Sequence, residues 1–195
     1  FFANYFLHCS DVTIDLSENA MEVHNSKAEP WKITMVDTGM QTSTGGRVRR
    51  VRDYVGDETF MMTYGDGVAD IDISALVETH RTKGKLATIT AVQPPGRFGA
   101  LNINDSESVN TFCEKPKGDG AWINGGFFVL EPEIFDYIKD EHVPWETQPL
   151  NDLSHDGQLG AYRHRGFWRP MDTLRDKTEL EQMWENGTAQ WKTWS

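Results

Sequence analysis

Cysteine is nearly absent: Cys9 and Cys113 are the only two in 195 residues. Two thiols so far apart supply neither a disulfide framework nor the paired spacing of a zinc site, and a reducing cytosol suits such a chain. Long apolar runs are missing as well. None approaches the roughly 20 residues that a bilayer-spanning helix needs, so no membrane partner is expected. Positive charge is in short supply, with 19 Lys and Arg against 30 Asp and Glu and a net charge of −11. That balance argues against a nucleic-acid groove or an anionic membrane surface as partner. It leaves room for a nucleotide, which needs only a local basic cluster. There is no initiator Met, no basic leader and no small-residue cleavage site, so the opening is not a signal peptide. Phe1, Phe2, Tyr5 and Phe6 instead have the spacing of a helix face, and read as the end of a helix whose beginning is missing. Repeats and low-complexity tracts are absent too, and the length fits one domain over residues 1–195.

What is present reads as alternating strands and helices. Val12–Asp15, Met21–Val23 and Trp31–Val36 are strand-like. A polar Thr/Ser/Gly loop leads into Arg47–Val55, where Val48, Val51 and Val55 form one buried helical stripe. Phe60–Thr63 is a short buried strand. A helix over Ile73–Lys83, capped by Asp70 or Asp72 and ended by Gly84, precedes a strand at Leu86–Val92. This succession favours a parallel sheet with right-handed crossovers. Ala100–Ile103 and Val109–Glu114 form a hairpin pair, and Trp122–Leu130 is a further strand. Helices are expected at Pro132–Lys139 and Thr147–His155, a strand at Gln158–Arg163, and a long last helix after Asp172.

Four places carry candidate chemistry. Tyr64-Gly65-Asp66-Gly67 stops the Phe60 strand on an acid between glycines, which allow a ligand close to the backbone. Asp66 suits Mg²⁺ bridging phosphates, although Asp-Gly is also a common turn. Arg47 stands in the first turn of its helix behind Thr44-Gly45-Gly46, where backbone N–H groups attract anions. Arg49, Arg50 and Arg52 read as a solvated face. Glu114-Lys115-Pro116 is either a rigidly aimed lysine or an exposed ion pair, and Asn124-Gly125-Gly126 is either a close-approach strand or a turn. Asp172 serves equally well as a helix N-cap.

Together, these motifs and their order resemble the sugar-phosphate nucleotidyltransferases. The matching residues are Thr44-Gly45-Gly46-Arg47, Thr63-Tyr64-Gly65-Asp66-Gly67-Val68, Pro94-Pro95-Gly96-Arg97-Phe98-Gly99-Ala100-Leu101, Glu114-Lys115-Pro116-Lys117-Gly118-Asp119-Gly120, Asn124-Gly125-Gly126-Phe127-Phe128-Val129 and Phe167-Trp168-Arg169-Pro170-Met171-Asp172-Thr173. The Pro-Pro-Gly-Arg-Phe-Gly stretch and the closing Trp-Lys-Thr-Trp resemble the glucose-1-phosphate cytidylyltransferase branch. The resemblance implies a Rossmann-like, mixed and mostly parallel sheet flanked by helices. It implies Mg²⁺-dependent synthesis of CDP-glucose and pyrophosphate from CTP and glucose 1-phosphate, for surface polysaccharide, by a cytoplasmic homo-oligomer. It further implies that Asp66 and Asp172 hold the metal, that Thr42, Arg47 and Gly65 contact the nucleotide, and that Lys115 grips the sugar phosphate. Arg47 and Lys115 would be the catalytic cations, with Glu114, Asn124 and Gly125 on the sugar.

Such chemistry requires no strong base, because the sugar phosphate is already a nucleophile. The site must join two anions and neutralise the charge growing at the α-phosphate. One departure stands out. The family's glycine-rich loop, of the form Gly-Gly-x-Gly-Thr-Arg-Leu, does not occur here. The expectation is therefore a chain lacking the first strand and phosphate loop, inactive by itself, whose parent protein is active. Two other readings stay open: a metal-dependent glycosyltransferase using Asp70-Ile71-Asp72, and a non-catalytic sugar-phosphate binding module.

Overall fold

The structure is a computed structural model that describes residues 2–94, 100–103, 106–113 and 121–194; for 2, 3, 100–103 and 110–113 it describes the backbone only. The chain divides into two compact units, Phe1–Asp37 and Thr38–Ser195.

The first unit holds helix α1 (Phe2–His8) and an antiparallel hairpin of β1 (Ser10–Asp15) and β2 (Ala20–Ser26). Val12 pairs with Val23 and Ile14 with Met21, the cross-strand apolar contacts that stabilise a two-stranded ladder. Asp15 turns the hairpin by accepting the N–H groups of Ser17 and Glu18 at 2.8 and 3.1 Å. Trp31–Val36, expected as a strand, is irregular. Side chains rather than a ladder hold its start and the residues before it: Tyr5 stacks on Trp31 at 6.4 Å, and its hydroxyl donates to Glu29.

The second unit begins with α2 (Thr44–Arg50) and α3 (Arg52–Val55), followed by β3 (Phe60–Thr63), β4 (Gly67–Ala69), α4 (Ile73–Lys83) and β5 (Ala87–Val92). Next come the hairpin β6 (Ala100–Ile103) and β7 (Val109–Cys113), β8 (Ile123–Leu130) and a 3₁₀ segment Pro132–Tyr137. The unit closes with α5 (Gln148–His155), β9 (Leu159–Arg163), β10 (Trp168–Pro170) and α6 (Leu174–Glu185). Four strands form one sheet in the order β3-β8-β5-β9. Because β8 is antiparallel to both neighbours while β5 and β9 are parallel, three strands share a direction and β8 alone is reversed. The sheet is mixed, as expected. The reversed strand separates β3 from β5, which the simple strand–helix–strand reading would set side by side.

The central strand explains the layering. Phe128, Val129 and Leu130 are all buried, so β8 is apolar on both faces, as a covered strand must be. Phe128 and Leu130 pack with Phe135, Trp145 and Leu153 on one side, while Val129 meets Leu76 of α4 and Ile71 on the other. Helix α4 is bounded as its sequence dictates: Asp72 accepts the Ala75 N–H at 2.9 Å, and Gly84 leaves the helix at φ +56°. The expected helix at Pro132–Lys139 is instead the 3₁₀ segment, cut short where Ile138 turns extended.

Candidate functional site

Strand β3 ends at Thr63, and Tyr64-Gly65-Asp66 turns the chain into β4. β4 pairs antiparallel with β10, Gly67 opposite Pro170 and Ala69 opposite Trp168. One further backbone bond, from Met171 N–H to the Asp66 carbonyl at 2.6 Å, continues this ribbon. Asp66 and Asp172 thereby come to one end of it. β8 supplies the facing wall. A Cβ on Gly125 would stand 2.8 Å from Val92 Cγ1 and 3.0 Å from the Thr90 carbonyl, so only glycine lets β8 lie this close to β5. Gly126 has φ +79°, a conformation that favours glycine, and its N–H donates to Asn124 Oδ1 at 2.8 Å. The Trp168 indole N–H crosses to the Gly125 carbonyl at 2.7 Å and joins the ribbon to the wall. A cavity of about 160 Å³ lies between them, lined by Tyr64, Asp66, Asn124, Gly125, Trp168 and Asp172 among others.

Asp172 does not cap α6. Thr173 does, in a capping box: its hydroxyl accepts the Asp176 N–H, and the Asp176 carboxylate accepts the Thr173 N–H at 3.0 Å. Both Asp172 and Asp66 are exposed at the cleft. Among the described residues no three His, Cys, Asp or Glu side chains converge on a common point. A pair of hard carboxylates fits a cation that takes its remaining ligands from phosphate and water.

Tyr64 lines the cleft, and its hydroxyl donates to Glu146. Burial first, then its hydrogen bond to Glu146, pushes the phenol far above its ordinary range, so it stays a neutral donor.

The other expected residues fall as follows. Arg47 is on α2, its guanidinium donating to Thr38 Oγ1 at 2.6 Å and to the Met40 carbonyl at 3.4 Å. Thr42 is buried just before that helix, and Gly65 is exposed beside Asp66, with open space where a Cβ would stand. Arg47, Thr42 and Gly65 are not among the residues lining the cavity. Glu114 and Lys115 lie outside the described residues, as does most of the Pro-Pro-Gly-Arg-Phe-Gly stretch.

Asp72 is committed to the fold, and Asp70 lies partly buried against His164. Asp72 caps α4, and Asp70 Oδ1 lies 2.9 Å from His164 Nε2. That nitrogen is in hydrogen-bonding alignment only with the Phe167 carbonyl, at 3.0 Å. A larger hollow of about 560 Å³ is lined by Arg49, Arg50, Arg52 and Lys139. Its arginines bond the Lys139 carbonyl, the Thr38 carbonyl with Glu141, and the Phe135 ring respectively, so they work as ties within the fold. Sequence reading missed Tyr64, Trp168 and Glu146 as parts of the site. The first two stand inside motifs already quoted. Glu146 carries no local signal, because its partners are remote in sequence.

A nucleotidyl transferase family pattern matches residues 9–179. The chain is 58% identical to the glucose-1-phosphate cytidylyltransferase of Salmonella typhimurium and 43% identical to a probable glucose-1-phosphate cytidylyltransferase of Bacillus subtilis. Each match covers 100% of this chain and 76% of the relative. Among solved structures, HddC from Yersinia pseudotuberculosis superposes with a TM-score of 0.56 at 20% identity, over 74% of this chain and 64% of that one. A putative glucose-1-phosphate thymidylyltransferase from Bacillus anthracis gives 0.54 at 22%, over 78% and 63%. At these identities the structural likeness speaks to the fold alone.

Proposed function

The chain belongs to the nucleotidyl transferase family and, within it, to the glucose-1-phosphate cytidylyltransferases, and we propose that it joins CTP to α-D-glucose 1-phosphate, forming CDP-glucose and releasing pyrophosphate. A phosphate oxygen of the sugar phosphate attacks the α-phosphorus of CTP. The bond to the β-phosphate oxygen breaks, and pyrophosphate leaves with the electron pair. No proton need be removed, so positioning and charge neutralisation carry the rate.

In this reading Asp66 and Asp172 hold Mg²⁺. When bound, the ion neutralises phosphate charge and orients the leaving group. Asn124, Gly125 and Glu114 contact the glucose. Arg47, Thr42 and Gly65 contact the nucleotide, and Lys115 grips the sugar phosphate, with Arg47 and Lys115 as the catalytic cations. The protein works in the cytoplasm, where CTP is made, as a homo-oligomer. Among the described residues no helix is long and apolar enough to cross a membrane.

What supports the reading best is that Asp66 and Asp172, so distant in sequence, line one cleft with Asn124. The test is pyrophosphate release by the full-length protein, comparing four nucleoside triphosphates and several sugar 1-phosphates in the presence of Mg²⁺. CTP with glucose 1-phosphate should be the fastest pair. Equal or faster release with UTP, GTP or dTTP would overturn the base assignment, and release with no pair would overturn the activity.

A further inference from the structure

Glu146 is exposed and sits just before α5, yet its carboxylate serves neither that helix nor solvent alone. Oε2 accepts the Thr44 hydroxyl at 2.7 Å, and Oε1 accepts the Tyr64 hydroxyl at 2.5 Å. The Thr44 hydroxyl in turn accepts the Trp145 N–H at 2.8 Å. At the other end the Tyr64 oxygen accepts from Asn124 Nδ2 at 3.4 Å, while Asn124 Oδ1 is held by Gly126 N–H. A continuous chain of bonds therefore runs from the first residue of α2, through Glu146 and Tyr64, to Asn124 at the cleft. Backbone packing reinforces its first link. A Cβ on Gly45 would come within 2.4 Å of the Val143 carbonyl, and one on Gly46 within 2.1 Å of the Glu141 carbonyl, so α2 lies directly on the segment that carries Glu146.

We propose that Glu146 is a positioning residue for glucose 1-phosphate: by holding the Tyr64 hydroxyl it sets the amide of Asn124 toward the sugar. The proposal rests on reading Asn124 as a sugar ligand. The chemistry is specific. A neutral phenol that donates to Glu146 must present its lone pairs the other way, and Asn124 is thereby fixed with Nδ2 toward Tyr64 and Oδ1 toward Gly126. Without the carboxylate the phenol is free to turn its proton toward Asn124, and the amide loses the partner that orients it.

The test uses the full-length protein with Glu146→Gln, Tyr64→Phe and the double variant. Glutamine keeps the size of the side chain but cannot accept both hydroxyl protons through two carboxylate oxygens. Glu146→Gln should raise the KM and the equilibrium Kd for glucose 1-phosphate about tenfold, the scale of one misplaced hydrogen bond. The kcat and the KM for CTP should stay within about twofold, and the double variant should be no worse than Tyr64→Phe alone. Unchanged glucose 1-phosphate binding in Glu146→Gln would overturn the inference. So would a fall in melting temperature with both KM values rising together, which marks a purely structural carboxylate. Failure of the wild type to release pyrophosphate with CTP would strike at the cytidylyltransferase reading instead, and the binding measurement still decides the role of Glu146.

Discussion

The Met171 N–H meets the Asp66 carbonyl at 2.6 Å, one step beyond the β4–β10 ladder. With that ladder, the bond holds the loop after β3 against the loop before α6, and each loop brings one aspartate. Asp66→Asn and Asp172→Asn should each lower kcat by about 10²–10³-fold, the loss seen when one preorganised electrostatic contact is removed. The Mg²⁺ concentration for half-maximal rate should rise in both, because amide oxygens bind a hard cation less well than carboxylates. Both side chains are exposed, so melting temperatures should hardly move. Near-wild-type rates for either variant would remove that aspartate from the site.

Thr173 offers the complementary experiment, since it lies next to Asp172 but is occupied with capping α6. Thr173→Ala should cost about 1 kcal/mol of stability in a denaturant titration, the usual loss for a cap. The kcat of the folded enzyme should be unaffected. A large fall in kcat with stability intact would mean that Thr173, not the capping box, is what the site needs.

Glycines at the site separate packing from ligand approach. Gly45 and Gly46 are buried against the backbone carbonyls of Val143 and Glu141, so Gly45→Ala should destabilise the protein by about 3 kcal/mol, the upper end of overpacking because backbone cannot step aside. Gly65 has nothing within 4 Å of where its Cβ would stand. Gly65→Ala should therefore leave the melting temperature unchanged while raising the KM for CTP. No change in that KM would take Gly65 out of the nucleotide contacts.

How much of this could be read beforehand depends on whether the signal was local. The limits of α4 are set by Asp72 and Gly84 through bonds to their own helix, and they stand where the sequence puts them. The β6–β7 hairpin is likewise local in origin. The reversed strand β8 is a tertiary choice: Gly125 and Gly126 announce close approach but not which strand is approached, and nothing nearby says that it divides β3 from β5. At α6 the sequence reading offers Asp172 as the cap and passes over its neighbour: Thr173 takes that place because Asp176, three residues beyond it, completes a capping box. Trp31–Val36 has strand composition but pairs with no strand among the described residues. The Thr44–Glu146–Tyr64 bridge joins residues scattered along the chain, and no window on the sequence contains it.

Glu179 makes the acid side of the stability curve a further test. It lies on α6 and pairs with Arg175 one turn earlier, at 2.8 Å, and with Arg169 on β10. Those bonds, Arg175 first and Arg169 next, hold its carboxyl below the ordinary value of 4.5. The folded protein then binds fewer protons here than the unfolded chain. The pair's contribution is complete above the unfolded pKa and is lost as the pH falls through the depressed folded one. Arg50 at Glu141, and Gln148 with Lys139 at Asp152, add shifts of the same sign. Melting temperature should therefore fall on acidification from about pH 5 downward. Glu179→Gln should melt below the wild type near neutrality and converge with it in acid, its curve shallower but not flat because Glu141 and Asp152 still titrate. Because Arg169 is on the strand that lines the cleft with Trp168 and Pro170, the same variant should lose activity in step with this stability as the temperature rises. Parallel melting curves for the two proteins across the whole acid range would show that Glu179 is not held below its ordinary value at all.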